Sequence, residues 1–115
     1  MKKKISVNFN DVDFADSKIL SYVVDTDNLT LYLECWNCKI FEIKFLNYIS
    51  LFSTNYFRIS NFQEVSESFL LEKALNEFYE VIPKAHHFRI FKFLHNDITT
   101  LEIICEDISI IEPGN

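Results

Sequence analysis

Three groups of side chains in this chain are of kinds that do chemistry. The first is Cys35-Trp36-Asn37-Cys38, a C-x-x-C motif. In redox sites such a pair opens a helix, whose dipole stabilises the thiolate. Here the pair lies between two alternating apolar runs, and no helix pattern follows it. A structural zinc site needs a second pair of ligands. The candidates are Cys105 with His86 or His87, and their spacing is not paired. The motif therefore reads as two small apolar side chains closing a hairpin. The second group is His86, His87 and His95. A histidine beside a carboxylate can act as a general base, but no serine or cysteine nucleophile motif accompanies these, and they read as partly exposed connector residues. The third group is Asp11, Asp13 and Asp16, spaced like the start of a calcium loop. The sixth position of such a loop needs glycine and here is Asp16; the twelfth needs a glutamate and here is Tyr22. A charged loop is expected instead, and neither an enzyme nor a metal or other cofactor.

The charge balance narrows the partners. Eleven basic and 17 acidic residues give a net charge of −6, and three of the basic ones are Lys2, Lys3 and Lys4. A chain this acidic lacks the cations that release counterions from nucleic acid or seek an anionic membrane. It suits a basic protein partner, since opposite charge speeds encounter, and it also serves plain solubility. No apolar run is long enough to span a bilayer. The basic start is followed by Asn8, Asn10, Asp11 and Asp13 rather than an apolar stretch, which predicts no secretory signal. With three cysteines, an odd number, the expectation is free thiols in the cytoplasm.

The elements that position these residues follow from periodicity. The 115 residues predict a single domain over 1–115. Twelve Phe, five Tyr and one Trp supply a core without disulfides. The only glycine is Gly114 and the only prolines are Pro83 and Pro113, so turns fall to Asn, Asp and Ser. Residues 3–9 alternate as a short strand. Residues 18–25, 29–35 and 38–45 alternate too, separated by Asp25-Thr26-Asp27-Asn28 and by Trp36-Asn37, and predict a three-stranded meander. Residues 47–55 fit either a helical turn or an irregular connection. Residues 57–65 read as extended, with Ile59 and Phe62 on opposite faces. A helix is expected over about 67–81, capped by Ser66 or Ser68, with Leu71, Leu75, Phe78 and Ile82 as one apolar stripe and Pro83 as its stop. Residues 87–95 are apolar on both faces and predict a central strand covered on both sides. Asn96-Asp97 turns the chain into 99–106 and 108–111, one long or two short strands. The fold class is α+β: a mostly antiparallel sheet of about six to seven strands with one main helix packed on a face.

Four local patterns stand out: Asp16-Ser17-Lys18-Ile19-Leu20, Leu29-Thr30-Leu31-Tyr32-Leu33, Trp36-Asn37-Cys38-Lys39-Ile40-Phe41 with Phe45, and Leu101-Glu102-Ile103-Ile104-Cys105-Glu106. Together they resemble small bacterial immunity-type domains of toxin–immunity systems, such as those of contact-dependent growth inhibition. The chain departs from that pattern at Ala15, where histidine is frequent, and at Cys38, where glycine is usual. The resemblance implies a non-catalytic protein that binds and neutralises a cognate toxin domain, in some cases a basic nuclease. The expected contact residues are exposed carboxylates near aromatics: Asp11, Asp13, Asp16, Glu72, Glu77 and Glu80. The alternative is a structural or oligomeric accessory domain, monomeric or weakly dimeric through a sheet edge, and after it a small-ligand-binding domain.

Overall fold

Alternation builds the first sheet. In the computed structural model, which describes residues 4–7, 13–54, 58–78 and 87–113, β2 (Ser17–Val24), β3 (Leu29–Glu34) and β4 (Ile40–Leu46) form the expected antiparallel meander. Leu29, Leu31 and Leu33 of β3 and Phe41, Ile43 and Phe45 of β4 are buried on one face. The outer face carries Thr30, Tyr32, Glu42 and Lys44. β1 (Lys4–Val7) and β10 (Asp107–Pro113) extend the sheet beyond β4, and β6 (Arg58–Ile59) touches the start of β2. The order is β1-β10-β4-β3-β2-β6.

The remaining strands form a second sheet, so the single sheet expected from the sequence is corrected to two. β5 (Ser50–Ser53), β9 (Ile98–Cys105), β8 (Arg89–His95) and β7 (Asn61–Val65) lie in that order, all antiparallel. The two sheets face each other across one core, where Leu31, Leu33, Ile43 and Phe45 meet Phe62, Phe91, Phe93, Leu101 and Ile103. Phe62 stacks on Phe93 with ring centroids 3.9 Å apart, and Phe45 meets Phe91 edge-on at 5.8 Å.

Two stretches change sheets at a single residue: 57–65, which reads as one extended run, and 99–111, which reads as one long or two short strands. Ser60 separates β6 from β7, and Glu106 separates β9 from β10. Corners of this kind let one chain serve both layers of a sandwich. At Ser60 the backbone N–H and the hydroxyl both donate to the Leu94 carbonyl, at 2.8 and 3.2 Å. At Glu106 the N–H donates to the Leu46 carbonyl at 2.9 Å. The switch at Ser60 also places Ile59 and Phe62 in the same core rather than on opposite faces. Residues 47–55, which fit two readings, contain β5: after Asn47, at φ 52°, the chain crosses to the second sheet.

The helix α1 (Phe69–Phe78) starts two residues later than expected, and residues 79–81 of the expected span lie outside those described. Ser68 caps it, its Oγ accepting the Leu71 N–H at 3.0 Å. Leu71, Ala74 and Leu75 pack on Ile90 and Ile104, on the outer face of the second sheet. β8 is thus covered on both sides, by the helix at Ile90 and by the first sheet at Phe91 and Phe93. Fully burying one such leucine contributes about 1.5–3 kcal/mol.

Candidate functional site

The hairpin between β3 and β4 is a type I turn followed by a left-handed residue. The Cys38 N–H donates to the Cys35 carbonyl at 2.9 Å, and the Cys35 N–H to the Lys39 carbonyl at 2.8 Å. Cys38 has φ 66°, and Asn37 Oδ1 accepts the Lys39 N–H at 3.2 Å. This geometry holds Trp36, the chain's one tryptophan, at the tip with 61% of its surface exposed. Cys35 is buried and Cys38 exposed, both as free thiols on a hairpin and not at a helix N-terminus. Burial pushes the Cys35 thiol above its ordinary pKa, against a hydrogen bond with Ser17. A reactive site would show the reverse shift.

The acidic connector ahead of β2 is pinned to the core. Phe14 is buried and meets Phe62 edge-on at 5.0 Å. The Ser17 hydroxyl donates to the Phe14 carbonyl at 2.6 Å, and Asp13 Oδ1 accepts the Ala15 N–H at 3.0 Å. With the backbone fixed, Asp13 and Asp16 are left on the surface. Asp16, Lys18, Glu34, Trp36, Arg58 and His95 line a cleft of about 450 Å³ at this end of the sandwich. Lys18 reaches Glu34 at 3.5 Å, and both ions are partly solvated. Ser60 and Asn96 also line the cleft; Asn96 and Asp97 form a two-residue turn whose φ values of 50° and 69° fit a type I′ hairpin.

At the opposite end the charges are spent on one another. Arg89 donates from Nε and one terminal nitrogen to both oxygens of Glu64, at 2.9 and 2.8 Å. Its other terminal nitrogen donates to Asp107 at 2.8 Å. The guanidinium also lies 5.0 Å from the Phe91 ring centroid. This fork ties β7 and β8 of one sheet to β10 of the other, and its hydrogen bonds hold Glu64 below the usual carboxylate range. Beside it His87 Nε2 lies 2.8 Å from Glu106 Oε1, and Asn47 Nδ2 donates to Glu106 Oε2 at 2.9 Å. These bonds hold Glu106 low as well. Among the described residues no three histidine, cysteine or carboxylate side chains converge as metal ligands do.

The sequence-predicted contact residues divide accordingly. Asp13 and Asp16 are exposed, and Asp16 shares its cleft with Trp36 and Glu34. Glu72 and Glu77 are exposed on α1, on the far side of the second sheet, and line neither this cleft nor the one at Asn47 and Glu106. Asp11, Glu80 and His86 lie outside the described residues. Trp36 and Glu34, in the turn and on the polar strand face, are not among the contact residues expected from the sequence. The available signal was position: Trp36 sits in a turn, where an apolar side chain has no strand face to bury. No family model, curated protein or solved structure matches this chain.

Proposed function

We propose that this chain is a binding protein, an immunity protein that neutralises a bacterial toxin domain by direct association, and that the Trp36 end of the sandwich makes the contact. The observation that carries the reading is Trp36 itself. It is 61% exposed, held by a fixed turn, and bordered by Asp16 and Glu34 on an acidic chain. Tryptophan is among the residues that dominate binding energy at protein interfaces, and it does so as a rigid anchor surrounded by polar groups. Around Trp36 the acids Asp16 and Glu34 are balanced by Lys18 and Arg58, so the pull on a basic partner comes from the net charge of −6 on the whole chain, which raises the association rate. The identity of the partner as a toxin rests on the resemblance of the Asp16–Leu20 and Trp36–Phe41 patterns.

The test is to induce the C-terminal domain of the product encoded immediately upstream, with and without this protein, and to follow growth. The expected outcome is arrest without it and growth with it. Trp36→Ala is expected to weaken the isolated complex by about 2 kcal/mol or more, with the thermal midpoint of the free protein retained. An upstream domain that is harmless, or that arrests growth regardless, sinks the immunity reading. Full protection and unchanged affinity in the Trp36→Ala chain would move the interface elsewhere.

A further inference from the structure

The chain has two arginines, Arg58 and Arg89, against 17 carboxylate side chains. Carboxylates fill the Arg89 fork: Glu64 accepts from two of its nitrogens and Asp107 from the third. Arg58 differs. Among the described residues no carboxylate forms an ion pair with it, and Asn55, Tyr56 and Phe57, which lead into it, carry no charge. Register adds a repulsion. β6 pairs with β2 so that Arg58 stands directly opposite Lys18, and both are exposed. Like charges directly opposite on neighbouring strands are destabilising. Glu34 binds Lys18 from β3, on the other side of β2, which leaves two strand spacings, roughly 10 Å, between it and Arg58.

Arg58 lines the cleft that Trp36 borders. We propose that it binds a carboxylate there, the side chain of an aspartate or glutamate on the protein partner. A guanidinium presents a planar fork that a carboxylate fills with two parallel hydrogen bonds. Arg89 and Glu64 make that pairing within this chain. The neighbours of Arg58 set the charge of the ligand. Lys18 adds a second cation, already engaged by Glu34. Asp16 lines the same cleft without an ion pair to either cation, and it disfavours a doubly charged anion such as phosphate. A singly charged carboxylate is the group that fits. Tryptophan and arginine are also the residue types enriched where interfaces concentrate their binding energy, and here they line one cleft. The partner is then basic overall yet carries an acid where it meets Arg58. Such a pair contributes little to long-range attraction and much to the choice of partner, because a cation at that point would face Arg58 and Lys18 together.

The inference rests on the proposed toxin partner, and the experiment separates the failure of one from the failure of the other. Parent, Arg58→Gln and Arg58→Lys chains are titrated calorimetrically into the C-terminal domain of the product encoded immediately upstream. Arg58→Gln is expected to weaken the complex by about thirtyfold or more. Arg58→Lys is expected to weaken it less, because an ammonium keeps the charge and loses the fork. Arg58→Glu is expected to abolish binding, and one of the upstream domain's aspartates or glutamates, each changed to lysine in turn, to restore it. The free Arg58→Gln protein is expected to unfold at the parent's temperature or above it, since the opposition to Lys18 is gone. A parent that forms no complex removes the toxin reading and this inference with it. A complex that forms and is indifferent to Arg58→Gln overturns the inference alone. So does a free Arg58→Gln protein that unfolds at a lower temperature, because the guanidinium then serves the fold. A set of charge-reversed upstream domains in which none restores binding to Arg58→Glu overturns it equally.

Discussion

Cys38 occupies a backbone position that suits another residue. Its φ of 66° is left-handed, where an L-residue with a β-carbon is about 1–2 kcal/mol less favourable than glycine. The turn demands that conformation, because the Cys38 and Cys35 bonds close the hairpin only with the bulge residue twisted this way. The exposed thiol has no buried packing to lose. Cys38→Gly is therefore expected to stabilise the protein by about 0.5–1 kcal/mol, part of the gain being offset by the greater freedom of glycine in the unfolded chain. Urea unfolding of the two chains measures it, and a destabilised variant would mean that the thiol makes a contact of its own. The same residue shows how the sequence can mislead. A C-x-x-C spacing suggests metal or redox chemistry, but spacing does not reveal that one cysteine points into the core and the other out. That difference follows from strand alternation at Cys35 and turn geometry at Cys38.

At the scale of elements, an interior strand has neighbours on both sides, and this decides the environment of Glu102. On β9 it lies opposite Lys92 of β8 and Phe52 of β5, which leaves it 7% exposed. Lys92 Nζ is 3.7 Å from one carboxylate oxygen, and among the described residues the other oxygen has no partner. A buried carboxylate with a single cation is costly to strip and not costly to replace. Lys92→Ala is expected to lose about 1–3 kcal/mol, at the lower end because the lysine is partly solvated. The double variant Lys92→Met/Glu102→Leu is expected to be at least as stable as the parent. Thermal unfolding of both chains decides it, and a double variant weaker than Lys92→Ala would contradict the account. Legibility at this scale was uneven for a physical reason. The Leu71 and Leu75 spacing and the Leu29-Leu31-Leu33 alternation mark one helix and one half-buried strand, because each keeps a single face toward the core. Ser60 and Glu106 turn strands into corners with neither glycine nor proline, so 57–65 looks continuous and 99–111 fits one long strand as well as two short ones. The cleft beside Trp36 needs the Ser60 corner, and for that reason only the acidic connector was visible in advance.

For the molecule as a whole, the two sheets share one core, and a group that titrates inside it couples pH to global stability. Cys105 is fully buried between them, and burial is the main cause pushing its thiol from an ordinary 9.0 up to about 12, with the Arg89 charge acting the other way. A raised pKa in the folded state means that the neutral thiol is favoured by folding. The stabilisation is complete below pH 9, where both states hold the proton, and is lost as pH climbs from 9 through about 12. Its full extent is on the order of 4 kcal/mol. On the acid side Glu64 runs in the opposite sense: its lowered pKa contributes stability above about 4.5 that is lost as pH falls below that value. More than a third of the Glu64 side chain is exposed, so solvent screening leaves this term small. Of these two contributions the larger is therefore the one lost on the alkaline side. Cys105→Ala loses packing at every pH, which makes it less stable than the parent at pH 8. As pH rises toward 11 the parent forfeits its thiol contribution and the variant has none to forfeit, so the gap between their urea midpoints is expected to narrow. Tyrosine and lysine titrations are common to both chains and cancel in the difference. A gap constant from pH 8 to pH 11 would show that Cys105 keeps its proton in both states, or exposes its sulfur to water before the sheets separate.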